Sequence, residues 1–227
     1  MFKNINHENR DKWLERNLSL LKKNDRILDA GAGELRYKKF CNHLDYVSQD
    51  FGEYEKNKIN DGLKSSKWDT SKVDIICDIT NIPVPDESFD AIMCIEVLEH
   101  LPEPMLALDE FQRILKPGGK LILTAPFSSN LHMAPYHFYT GFTKFWYEYH
   151  LDKRNFNINE ITFNGDWHSL LRQEVSRLGS MERRLNNILW PLSYFFSLIF
   201  LLYFLIKGNK KDENISCFGL FVIAEKL

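Results

Sequence analysis

Three acidic residues stand where their types and spacing could do chemistry. Asp29 sits in RILDA (26–30), Asp50 ends the run beginning Tyr46-Val47-Ser48, and Asp78 ends VDIICD (73–78). Between the first two lies Gly31-Ala32-Gly33. Glycines let a backbone approach a ligand closely, and a helix beginning after them offers free N–H groups to an anionic or polar group. An acid roughly 20 residues beyond such a turn can accept both hydroxyls of a ribose, and Asp50 holds that place. A bare GxG is equally the mark of a plain tight turn, and a lone acid at a strand end can simply cap one. Three acids closing three consecutive strands are harder to ascribe to chance. The third position of a dinucleotide-type GxGxxG is Arg36, which argues against a nicotinamide-dependent oxidoreductase. An acid just before the turn also sits poorly beside a pyrophosphate and suits a ligand with a cationic end.

A second constellation follows residue 127. Asn130 to Thr140 (NLHMAPYHFYT) carries two His and two Tyr. An imidazole titrates near neutrality and can take a proton from a substrate hydroxyl. His137 is the first candidate for such a base, with His132 and His100 behind it. For each of them a structural hydrogen bond is the plainer role, and Glu99-His100 is expected to fix the helix that follows. Cys41, Cys77, Cys94 and Cys217 form no CxxC and no Cys/His cluster at metal spacing. They read as thiols of a reducing compartment, most inside apolar runs. No carboxylate/His set at ligand spacing appears, so no metal is expected.

These residues need elements to hold them. Residues 8–24 read as an N-terminal amphipathic helix, with Trp13, Leu14, Leu18 and Leu21 at three-to-four spacing. Strands are expected over 26–30, 46–50, 73–78, 89–95 and 120–126. Helices are expected over 34–43 and 104–115, the latter stopped by Pro117-Gly118-Gly119. The polar stretch 52–72 reads as a loop or weak helix. Strands and helices in alternation argue for βαβ units and a parallel sheet covered on both faces. Strands near 90 and 120 are almost continuously apolar, as buried parallel strands are. Beyond 127 the pattern predicts a loop with a helix by 150, a strand over 156–163, a helix over 167–178 and a last strand over 215–224. The 227 residues, 44% hydrophobic and 26% charged, suit one globular domain. A net charge of −2 disfavours nucleic acid as a partner.

The blocks ILDAGAGE (27–34), Asp50, CDI (77–79), FDAIMCIEVLEHL (89–101) and LKPGGKLILTAPF (115–127) resemble the class I S-adenosylmethionine-dependent methyltransferases, more narrowly the methyltransferase type 11 group. Five blocks in order are far more specific than any one of them. Leu35 stands where the family often has Gly, a change of turn shape. The resemblance implies a Rossmann-like, doubly wound, seven-stranded, mostly parallel sheet with an apolar helical insertion before the last strand. It implies S-adenosyl-L-methionine as cofactor and transfer of its methyl group by in-line displacement. Asp29, Ala30, Gly31, Ala32 and Gly33 would hold the methionine end, and Asp50 the ribose with Phe51 beside the adenine. Asp78 and Ile79 would contact the adenine, and Ile95 and Glu96 would line the pocket near the sulfonium. The core would span 26–127, with a substrate-side loop and helices over 128–180. The segment 134–151 resembles bacterial members associated with polysaccharide and glycan biosynthesis, implying a hydroxyl of a glycan or lipid-linked intermediate as acceptor. The rival from another class is a non-catalytic cofactor-binding partner in a membrane-associated complex.

Residues 185–208 form an apolar helical segment, and 188–206 contain no charge. A helix apolar on every side needs a nonaqueous partner. A pair of interfacial helices broken near Pro191, resting on the membrane surface, is the favoured reading. A buried or homodimer contact and a true membrane span are the others. A span would separate the last strand from its sheet. With no apolar leader at residues 1–17, the protein is expected in the cytoplasm, peripheral on the cytoplasmic face of a membrane.

Overall fold

A computed structural model of the chain describes residues 5–52, 69–207 and 215–227. Most of the polar stretch 52–72 and the residues 208–214 lie outside the described residues. The elements are α1 (Ile5–Leu18), β1 (Arg26–Ala30), β2 (Asp45–Asp50), β3 (Ile75–Ile76), β4 (Phe89–Ile95), α2 (Pro104–Ile114), β5 (Leu115–Pro126), α3 (Lys144–Asp152), β6 (Phe156–Asn164), α4 (Trp167–Arg184), α5 (Trp190–Lys207) and β7 (Gly219–Lys226). They build a seven-stranded sheet in the order β3-β2-β1-β4-β5-β7-β6. Strands β3, β2, β1, β4 and β5 pair in parallel, and β7 runs antiparallel to β5 with Ile122 opposite Ile223. This is the doubly wound, mostly parallel sheet that the sequence implies.

The core follows from the apolar pattern. In β4 every residue except Asp90 is buried, as a strand covered on both faces must be. Trp13, Leu14 and Leu18 of α1 pack with Ile27, Met93, Ile122 and Phe221 in one cluster. The four cysteines are free, and all but Cys77 are buried.

Several boundaries depart from expectation. α1 ends at Leu18, not in the 22–24 region; the Leu20 and Leu21 N–H groups turn back to Asn17 and Leu18 carbonyls. No α-helix follows the glycine turn over 34–43. Gly31, Gly33 and Leu35 all have positive φ (77°, 51° and 59°), which breaks α-helical propagation, and only a single 3₁₀ turn forms at Lys38–Phe40. β3 is two residues long, not six. β5 begins at Leu115, which pairs with Phe89, and a bulge before Ala91 absorbs Lys116–Gly119. α4 continues to Arg184. The expected break near Pro191 falls earlier, at 185–189. Pro191 sits in the first turn of α5, where its missing N–H costs nothing, and Asn187 Oδ1 accepts the Leu189 N–H at 3.0 Å.

The chain divides into two compact units, where one domain over 1–227 is expected from sequence. One comprises Met1–Thr162 with Gly219–Leu227, and the other Phe163–Phe218. In the second unit α4 is capped by Asp166, whose Oδ1 accepts the Ser169 N–H at 2.7 Å. α4 and α5 pack on each other where a Cβ on Gly179 would meet Tyr194 at 2.2 Å. Among the described residues no helix is long and apolar enough to cross a membrane.

Candidate functional site

Strand order reverses at β1, between β2 and β4. A doubly wound sheet opens a ligand crevice beyond the carboxyl ends of its strands at such a point. A cavity of about 360 Å³ lies there, within the range of small-molecule sites. Its wall includes Gly31 and Gly33 from the turn, Gln49 and Asp50 from β2, Phe51 just after it, and Asp78 and Ile79 after β3. Glu96 and His100 after β4, with Tyr136 and Phe138 of the loop after β5, also line it.

Backbone geometry explains the turn. Gly31 lies at φ +77°, and a Cβ there would come within 2.4 Å of Val97 Cγ2. Only glycine fits both the conformation and the approach. The Gly31 and Ala32 N–H groups donate to the Gln49 carbonyl, each at 2.9 Å. The Gly33 N–H donates to Asp50 Oδ2 at 2.8 Å, and the Gly52 N–H to Asp50 Oδ1 at 3.0 Å. Asp50 therefore holds the turn as well as facing the cavity. The anion-binding helix N-terminus expected after the turn is absent. Gln49 also carries weight: its Nε2 donates to the Cys77 carbonyl at 2.7 Å and ties β2 to the segment carrying Asp78.

The remaining sequence candidates divide. Asp78 faces the cavity and also accepts the Thr80 N–H and hydroxyl, each at 2.8 Å. Asp29 is buried and is not on the cavity wall; the Tyr46 hydroxyl donates to its Oδ2 at 2.6 Å. Burial pushes its carboxyl up to about 7, the Tyr46 hydrogen bond opposes this, and the nearby Asp50 adds to it. Ala30, Ala32 and Ile95 are likewise buried and off the wall. Glu96 reaches the wall, but its carboxylate is engaged. Arg10 of α1, itself buried, pairs with Oε2 at 2.6 Å, and the Thr124 hydroxyl donates to Oε1 at 2.9 Å.

His100, His132 and His137 converge, with ring centroids 4.6 to 6.0 Å apart. Of these only His100 is on the wall, and its Nδ1 meets the Tyr136 carbonyl. That bond, with the Phe138 N–H donating to the Glu99 carbonyl at 2.9 Å, fastens the loop after β5 to the turn after β4. Glu99-His100 thus anchors a loop as well as preceding α2. Burial lowers His100 to about 4 and also lowers His137, so both imidazoles are neutral at pH 7. His137 Nε2 is 3.1 Å from Ser129 Oγ. The expectation of no metal-ligand set needs correction. One ligand atom each of Glu99, His100 and His132 lies within 4.8 Å of the others, because folding joins residues that sequence spacing keeps apart.

Sequence reasoning missed Arg10, Tyr46, Gln49 and Val97. Their roles depend on which strands become neighbours, and no local pattern marks them. Tyr136 and Phe138 had a signal, the aromatic density after residue 127.

Residues 28–123 match the model of a family described as a methyltransferase domain. The chain is 30% identical over 107 residues to the 27-O-demethylrifamycin SV methyltransferase of Amycolatopsis mediterranei, covering 45% of this chain and 39% of that protein. It spans about two fifths of the length of the curated relatives it matches over about a hundred residues. A SAM dependent methyltransferase from Archaeoglobus fulgidus superposes with TM-score 0.60 at 16% identity, covering 96% of this chain and 94% of that one. Haemonchus contortus phosphoethanolamine N-methyltransferase 2, solved with S-adenosyl-L-methionine, gives TM-score 0.56 at 15% identity over 96% of this chain and 52% of that one. At these identities the structural likeness concerns the fold.

Proposed function

We propose, for a chain whose residues 28–123 belong to the methyltransferase-domain family and whose sheet is that of the class I S-adenosylmethionine-dependent methyltransferases, that it methylates a hydroxyl of a small acceptor. The observation that carries this is the cavity at the reversal of strand order, walled by Gly31, Gly33, Asp50, Asp78, Ile79 and Glu96. The residues present fit the cofactor. The turn leaves no room for a side chain at Gly31, and a carboxylate stands at each of the two strand ends where the ribose and adenine are expected. S-adenosylmethionine, when bound, supplies a methyl group activated on a sulfonium.

The protein's own part is to position and to move a proton. Gly31 and Gly33 would admit the methionine end. Asp50 would take the ribose hydroxyls while keeping the turn closed through Gly33, with Phe51 beside the base. Asp78 and Ile79 would bound the adenine. Asp29, Ala30, Ala32 and Ile95 would act from behind the wall, shaping the turn. Glu96, its charge already offset by Arg10, would bound the cavity without presenting an unpaired anion. His137, neutral and flanked by two wall residues, would take the acceptor proton, with His132 as alternate. The half-exposed rings of Phe51 and Phe138 beside Tyr136 offer faces on which a sugar could stack. They support the finer proposal of a glycan or lipid-linked acceptor. The exposed apolar residues of α5 support contact with a membrane surface, where a lipid-linked acceptor resides.

Calorimetric titration with S-adenosylhomocysteine tests the central claim. Saturable one-site binding is expected, weakened roughly tenfold or more in Asp50→Asn, which loses one charged acceptor of ribose hydroxyls. His137→Ala should bind as tightly as the parent and lose roughly 10²-fold or more in turnover. Well-folded protein that does not bind S-adenosylhomocysteine would refute the reading.

A further inference from the structure

Beside the cavity that His100 lines stands a cluster of groups whose chemistry methyl transfer does not exhaust, His132 serving there only as the alternate base. Glu99 and His100 end the turn after β4, and His132 comes from the loop after β5. Glu99 Oε1 stands 3.7 Å from His100 Nε2, too far for a hydrogen bond. It is close to the separation of about 3.4 Å between two ligands of a tetrahedral ion. The Glu99 side chain is 1% exposed, and its Oε2 has no hydrogen-bond partner. A buried, unpartnered carboxyl oxygen is costly, and a cation held by both oxygens of the Glu99 carboxylate would supply the missing partner.

The imidazoles are held in the manner of metal ligands. His100 Nδ1 faces the Tyr136 carbonyl, and His132 Nδ1 faces the Asn130 carbonyl at 2.9 Å. A carbonyl only accepts, so each Nδ1 carries the proton and each Nε2 keeps its lone pair. This backbone support on the far nitrogen is the usual way a ligating His is oriented. Arg10, the cation of the neighbouring pair, is occupied by Glu96. Two imidazoles and one carboxylate suit zinc and its neighbours; magnesium and calcium prefer oxygen ligands.

We propose that Glu99, His100 and His132 bind one divalent transition-metal ion of the zinc class beside the cavity that His100 lines, leaving a coordination position for an oxygen ligand. The proposal does not depend on the methyl-transfer reading, because metal binding is read directly.

The test uses the full chain, stripped with a chelator and titrated with zinc, then with cobalt as a visible probe. One equivalent of zinc should bind, and cobalt should give the absorption bands of a low-coordinate site with nitrogen ligands. His132→Ala, at a half-buried loop position, and Glu99→Gln, which keeps the side-chain volume, should each weaken zinc binding more than roughly tenfold. Melting curves without metal identify any variant that has lost its fold. Magnesium in excess should not displace the zinc. Absence of saturable zinc binding in the folded parent would overturn the proposal. So would binding that both folded variants retain, or an ion that magnesium displaces. S-adenosylhomocysteine titration of the same samples reports separately on the cofactor reading.

Discussion

Burial sets the protonation of Asp29, and pH reads it out. Its carboxyl is pushed up to about 7 by loss of water, against the pull of the Tyr46 hydroxyl, while in the unfolded chain it returns to about 4. Between those values the native state binds the extra proton, so this residue's contribution to stability falls as pH rises through the window and is flat outside it. Glu99, raised by burial, acts in the same sense. His100, lowered to about 4, acts in the opposite one, because below about pH 6.5 the unfolded chain binds the extra proton. The net slope is therefore a partial cancellation, and the difference between parent and Asp29→Asn isolates the aspartate. Urea unfolding at a series of pH values should show the variant gaining on the parent from about pH 4 to pH 7, by up to on the order of 1 kcal/mol per pH unit. A constant difference across that range would mean that Asp29 is ionised throughout. The sequence marked Asp29 and Asp50 by their places at strand ends. It gave no sign that Tyr46 would cover one and Gln49 would buttress the turn beside the other, since both depend on the β1–β2 register, Asp29 opposite Ser48.

At the scale of the element, the turn after β1 departs most from a pattern-based reading. The spacing of GAGELRY allows a helix, but periodicity carries no information on the sign of φ. Three residues of positive φ in alternate positions replace the helix with turns. The long, strongly apolar β4 was readable to the residue, because burial on both faces writes itself into every position. The two-residue β3 was overextended, because an edge strand needs little pairing and its apolar neighbours pack outside the ladder. The turn also allows a comparison of two glycines. Gly31 and Gly118 share a positive φ (77° and 74°), yet a Cβ at Gly31 meets Val97 at 2.4 Å and a Cβ at Gly118 meets nothing within 4 Å. Backbone strain of about 1–2 kcal/mol applies to both alanine variants; the collision applies to one. Gly31→Ala should lower Tm by several degrees more than Gly118→Ala, at about 2–4 °C per kcal/mol for a chain of this size, and weaken S-adenosylhomocysteine binding. Equal losses in the two variants would show that Val97 yields freely.

The whole molecule is closed by its last strand. β7 enters between β5 and β6 from the far end of the chain. Leu220, Val222 and Ala224 are buried, Phe221 stacks on Trp13 at 4.8 Å, and Lys226 Nζ donates to the Leu115 carbonyl at 2.8 Å. The apolar run 215–224 announced a buried strand, which forms over Gly219–Lys226 and not from 215; the resemblance assigned it to the core sheet without fixing its neighbours. In the structure α5 belongs to the compact unit Phe163–Phe218, while β7 belongs to the other. That division separates two classes of substitution. Val222→Asp puts an unpaired charge into the sheet at a cost of several kcal/mol, comparable with the whole 5–15 kcal/mol of a typical domain. It should abolish both cooperative melting and S-adenosylhomocysteine binding. Replacing Leu198, Ile199 and Leu202 of α5 with Ser alters positions about half exposed. Binding of S-adenosylhomocysteine and the melting of the sheet should then stay near parental values. Sedimentation with phosphatidylethanolamine–phosphatidylglycerol vesicles should fall, since the apolar area available to the bilayer is reduced. Unchanged sedimentation in the folded triple variant would remove α5 from the membrane reading. A collapse of cofactor binding in the same variant would show that the sheet depends on the apolar face of α5, and the two units would then have to be treated as one cooperative body.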